Sequence, residues 1–266
     1  MDILERANKL QMEGQNDVIH MEVGQPESGA PSTVAQAAID SLNDQHVMGY
    51  TDAFGLLELR NKISELYQQK YKVTIPEQNI VITTGSSGAF LLAFTACFNT
   101  GDTVAIASSG YPCYRNILMA LGCELANVKI NAEFKLTAAE LKDEISRRRE
   151  TNQKPIKGLI LSSPSNPTGA MLTPEELKEL CQLCDEEGIH FLSDEIYHGI
   201  SYGMEEATAI SFSPNVLVIN SFSKYYSSKS YSSWIDSNMR ALFILFVFVY
   251  LKCLGGDLVG WSYLLR

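Results

Sequence analysis

Basic residues are scarce in this chain. Its 266 residues carry 21 Lys and Arg against 31 Asp and Glu, a formal net charge of −10. That balance argues against a broad nucleic-acid face, although local donors can still bind a small anion. Histidines number four and cysteines six, the latter scattered at positions 97, 113, 123, 181, 184 and 253. Cys181 and Cys184 form a lone CxxC inside PEELKELCQLCDEEG, with no second pair or nearby histidines to complete a zinc site. Packed thiols are the expected reading. No GxGxxG occurs, and no Gly-Lys-Ser/Thr follows the Gly/Ser turn at 83–90. The N-terminal MDILERANKLQMEG is charged and amphipathic, without the apolar core of a secretory signal. A reducing, cytoplasmic setting is expected. The longest apolar run, ALFILFVFVYL at 241–251, falls short of the roughly 18–20 residues that span a membrane. A membrane partner is not expected.

What is present is enough apolar material, 45% of the residues, for a sizeable core. Residues 2–13 read as a helix, as do the stretch from Ser32 or Thr33 to about Leu42 and the stretch 56–71. From Ile80 an alternation begins. NIVITTGSSG reads as a short β-branched strand entering a Gly/Ser turn and then an apolar helix. DTVAIAS, ELANVKI, KGLILSSP, IHFLSDEIY and NVLVINS read as further strands. Helices fall between them, one opened by Thr137 with Glu140 in a capping box, another with Pro174 at its first position. Strands alternating with helices imply an α/β fold, a mostly parallel sheet with helices on both faces.

In such a sheet, ligands gather beyond the carboxyl ends of the strands. Five candidate features lie there. TTGSSGAF turns into a helix and offers backbone N–H groups and the hydroxyls of Ser86 and Ser87 to a phosphate. YPCY supplies Tyr111, an aromatic able to stack on a flat ring. SSPSNPTG holds Asn166 between two prolines. SDEIY ends an apolar strand with Asp194 and Glu195, and Tyr197 follows. SFSK places Lys224 just beyond another apolar strand, able to form a Schiff base if its pKa is lowered. Each also has a bland reading as a turn, a core aromatic, a cap or a solvated lysine. In this order on one sheet edge they describe a ligand with a phosphate, a flat ring, a ring oxygen, a ring nitrogen and an aldehyde.

SPSNPTG, SDEIY and SFSK at these spacings resemble the class I/II aminotransferases of fold type I, the pyridoxal 5′-phosphate (PLP) enzymes typified by aspartate aminotransferase. The resemblance runs from about Val18 to Tyr226. It implies that Lys224 holds PLP as a Schiff base and shuttles the α-proton. It implies that Asp194 pairs with the pyridine nitrogen, and that Asn166 and Tyr197 bond the ring oxygen. Tyr111 would stack on the ring, and Ser86, Ser87 and Ser221 would hold the phosphate. Tyr50 would reach the phosphate of a neighbouring subunit in a homodimer. Gly24, together with Asn166, would lie at the substrate. The activity implied is transfer of an amino group between an amino acid and a 2-oxo acid. A lyase or synthase of the same fold, or a non-catalytic remnant, are the alternatives. The same resemblance divides the chain into an N-terminal arm and start of a small domain (1–45), a large PLP-binding domain (46–226) and an atypical tail (227–266). Residues after Tyr226 leave the family pattern. GDLVGW at 256–261 comes about thirty residues late, with Leu258 where an arginine is expected. The expectation is a chain cut short after the lysine, lacking most of its C-terminal small domain.

Overall fold

A computed structural model describes residues 2–14, 18–21, 24, 29, 31–43 and 50–226. The tail at 227–266, with its apolar run, lies outside the described residues. Seven helices and five strands are described: α1 (Asp2–Met12), α2 (Ser32–Asn43), α3 (Leu57–Tyr71), α4 (Gly85–Cys97), β1 (Thr103–Ala107), α5 (Pro112–Ala120), β2 (Glu124–Val128), α6 (Ala138–Glu150), β3 (Ile156–Ser162), α7 (Pro174–Glu187), β4 (His190–Asp194) and β5 (Leu217–Ile219).

The strands form one sheet in the order β2-β1-β3-β4-β5, every pair parallel. Alternation along each strand sends side chains to two faces. Val104, Ile106, Ile160, Leu192, Leu217 and Ile219 pack with Phe90, Phe94 and Leu118 of α4 and α5. Ala105, Leu159, Leu161, Phe191 and Val218 pack with Ile63, Leu141, Leu177 and Leu180 of α3, α6 and α7. Helices thus cover both faces, as the alternating sequence pattern implies.

Local signals set the helix ends. Thr137 opens α6 with its hydroxyl accepting from the Ala139 N–H, and Glu140 accepts from the Thr137 N–H at 2.9 Å. Thr173 and Glu176 make a second box at α7, with Pro174 inside it and Gly188 closing the helix at φ 65°. Cys181 and Cys184 lie on the buried face of α7, and Cys181 Sγ points to the Ala209 carbonyl.

One expected strand is corrected. Residues 80–83 run extended into α4 but join no ladder among the described residues. The Ile82 N–H donates to the Phe54 carbonyl at 3.1 Å. Ile80, Val81 and Ile82 are 0%, 2% and 8% exposed, so their β-branched pattern reports burial rather than pairing.

Gly158 of β3 lies against Phe98, which follows α4. A Cβ there would lie 2.2 Å from Phe98 Cζ. Gly158→Ala is expected to lower stability by about 1–3 kcal/mol through overpacking. Urea unfolding reads this, and an unchanged midpoint with an unchanged slope would contradict it.

Candidate active site

The sheet reverses its strand order between β1 and β3, and the segments beyond the carboxyl ends of β1, β3, β4 and β5 carry Tyr111, Asn166, Tyr197, Ser221 and Lys224. Asp194 ends β4 at 1% exposure. Its Oδ2 accepts a short hydrogen bond from the Tyr114 hydroxyl, and its Oδ1 accepts from the Ile196 N–H at 3.2 Å. Burial pushes its pKa up to about 7, against the pull of these bonds and of the Lys224 ammonium. It is a carboxylate in want of a cation.

Asn166 lies in the loop after β3. Its amide donates to the Tyr197 hydroxyl at 3.1 Å. Tyr197 is raised by burial first and by the Asp194 charge second, and the Asn166 bond works against both. Lys224 follows β5. Its Nζ sits 5.2 Å from the centroid of the Tyr197 ring and donates to the Gly24 carbonyl at 2.8 Å. The Tyr111 ring stands edge-on to Tyr114 at 5.5 Å. It is partly exposed and senses the Asp194 charge. Tyr111, Asn166, Asp194, Tyr197 and Lys224 are thus brought together, with Gly24 reaching them from the N-terminal part.

The start of α4 lies beside this cluster. Gly85 takes φ 80°, which turns the chain into the helix, and no side chain caps that end. Ser86 and Ser87 occupy the first turn, with Ser87 Oγ 3.9 Å from Cys113 Sγ in α5. Ser221 is buried. Its Oγ accepts from the Ser223 N–H at 3.0 Å and lies 2.8 Å from Ser223 Oγ. Tyr50 stands fully exposed.

The sequence profile of the family described as "Aminotransferase class I and II" matches residues 16–230. The chain belongs to that family. Among its relatives, the valine–pyruvate aminotransferase of Mycobacterium tuberculosis is 44% identical over 213 residues, covering 79% of this chain and 53% of that one. The aspartate aminotransferase of Bacillus subtilis is 31% identical, covering 85% of this chain and 57% of that one. A crystal structure of an aminotransferase from M. tuberculosis superposes with a TM-score of 0.81 at 38% identity, over 94% of this chain and 60% of that one. The chain therefore spans little more than half the length of the curated relatives it matches.

One feature of this aminotransferase-family site, Tyr114, was not singled out from the sequence, and a second, Glu195, was named there only as an acid at a strand end. Tyr114 binds Asp194 from α5, and its i, i+3 spacing from Tyr111 was the available signal. Glu195, beside Asp194, faces the opposite way. Its Oε1 accepts from the Ala209 N–H at 2.9 Å and from the Thr208 and Ser193 hydroxyls. Burial raises its pKa, offset chiefly by His198.

Proposed function

We propose that this chain is the PLP-binding part of an aminotransferase that moves an amino group between an amino acid and a 2-oxo acid. The observation carrying the reading is the convergence of Lys224, the Asn166–Tyr197 pair and buried Asp194 at one sheet edge. These residues fit the cofactor. A buried acid held up by desolvation has use for a cationic ring N–H, and the uncapped start of α4 suits a phosphate. When bound, PLP supplies an electron sink for the negative charge left on a substrate α-carbon.

The chain's own residues supply the rest. Lys224 Nζ would be the amine that holds the cofactor's aldehyde carbon and the base that moves a substrate α-proton. Asp194 would pair with the ring nitrogen and favour its protonated form. The Asn166 amide and the Tyr197 hydroxyl are donors for the ring oxygen. Tyr111 would stack on the ring, and Ser86, Ser87 and Ser221 would hold the phosphate. The Gly24 carbonyl accepts from the lysine amine, and Gly24 and Asn166 would lie at the substrate. We place the protein in the cytoplasm as a homodimer. Its five described cysteines are free thiols, and exposed Tyr50 is available to a neighbouring subunit's phosphate.

Incubation with PLP tests the reading. The expected result is a yellow absorbance that borohydride fixes to the protein, with pyridoxamine phosphate formed when an amino acid is added. A folded chain that stays colourless overturns it. Colour without pyridoxamine phosphate, but with loss of a substrate leaving group, favours a lyase instead.

A further inference from the structure

Behind the proposed cofactor site lies a buried network that the reaction itself does not use. Tyr197 and His198 are neighbours in the turn after β4, and they point to opposite sides. Both reach the same loop. The Tyr197 hydroxyl accepts from Asn166 at 3.1 Å. Three residues earlier in that loop, the Ser163 carbonyl lies 3.0 Å from His198 Nε2. A carbonyl only accepts, so Nε2 carries the proton. Nδ1 lies 2.7 Å from the Tyr71 hydroxyl at the end of α3, which fixes the ring from its other side. Glu195 Oε2 lies 3.5 Å from the same Nδ1. The His198 side chain is 3% exposed, so both bonds are shielded from water.

The same turn touches the lysine's neighbourhood. Gly199 takes φ 102° and approaches Tyr225 so closely that a Cβ would lie 2.6 Å from its ring. Its N–H donates to Glu206 at 2.6 Å, and Glu206 in turn pairs with Lys70 of α3. The turn is therefore anchored to α3 twice.

We propose that His198 is a positioning residue that pins the 163–169 loop through the Ser163 carbonyl, so that Asn166 is held in register with Tyr197. The inference deepens the proposed function and rests on it only for its cofactor arm. Losing the Nε2 donor leaves the part-buried Ser163 carbonyl without that partner and loosens the loop, whose remaining ties include the Ser163 N–H to the Asp194 carbonyl and the Leu172 N–H to Ser163 Oγ.

The test compares His198→Leu with His198→Gln, whose side-chain amide keeps an N–H able to reach Ser163. Two readouts are taken: amide hydrogen exchange, and affinity for PLP by fluorescence titration. His198→Leu is expected to speed exchange in 163–172 about tenfold while β1 amides keep wild-type rates, and to weaken PLP binding about tenfold. His198→Gln is expected to restore both to within about threefold. Wild-type exchange in the loop of a folded His198→Leu protein overturns the proposal. So does equal acceleration in β1, or a His198→Gln protein no better than His198→Leu. If His198→Leu does not fold, Tyr71→Phe removes only the hydroxyl behind Nδ1. It is then expected to give the same loop-confined acceleration at about threefold, and unchanged loop exchange there overturns the proposal. Failure of the wild-type chain to bind PLP overturns the cofactor reading instead, and the exchange arm still decides the role of His198.

Discussion

Lys224→Ala is expected to abolish the yellow adduct with PLP that borohydride fixes in the wild-type chain. No other described lysine stands over the Tyr197 ring within reach of Asp194, so no second amine replaces it. Where wild type converts the cofactor with an amino acid, the variant loses the proton-transfer base as well. That part of the loss is at least about 10²–10⁴-fold in rate. The fold is expected to survive, because the two apolar cores do not include Lys224. Absorbance before and after reduction, with peptide mass mapping, checks this. A reduced adduct that persists on another lysine would sink the assignment of Lys224.

Asp194→Asn is expected to act with opposite signs in the free and the loaded protein. The ordinary carboxyl value is 3.8, and burial pushes this one up to about 7. Between those values the folded chain keeps a proton that the unfolded chain has released. This group's stabilising contribution is therefore complete below the unfolded value and is lost as pH rises through the folded one. Asparagine cannot ionise, so the variant escapes the loss. Without cofactor, its stability relative to wild type should rise between pH 4 and 8, by at most about 4 kcal/mol. With cofactor the sign reverses. The neutral amide no longer holds a cationic ring nitrogen, and affinity should fall by about 1.5–3 kcal/mol, roughly 10–150-fold. Urea unfolding at several pH values reads the first effect, and cofactor titration the second. A stability difference flat in pH, or unchanged affinity, contradicts the role given to Asp194.

Much of this was legible in the sequence because its signals are local. The Thr137–Glu140 box, Pro174 at the start of α7 and the β-α alternation each depend on residues a few positions apart, and each is found. The residues at the strand ends were also legible, since parallel topology sends those ends to one edge. What stayed hidden depends on distant partners. Ile80, Val81 and Ile82 look like a strand because they are buried, yet pairing requires a neighbour that local pattern does not reveal. Tyr114 looks like core until Asp194, eighty residues on, is placed against it. His198 reads as any histidine after a strand. Its meaning comes from Tyr71 and Ser163, which only the fold brings to its two nitrogens.

The sheet treats the two halves of the site unequally. Asp194 stands on a strand bonded on both sides, with five paired positions to β3. Lys224 hangs from β5, which ends the described sheet and holds β4 through three pairs. Short strands at a sheet's margin open at lower free energy than those within it. On warming, the lysine is therefore expected to drift out of line with the acid while β1, β3 and β4 stay paired, so that amine and carboxylate part company below the temperature at which the sheet melts.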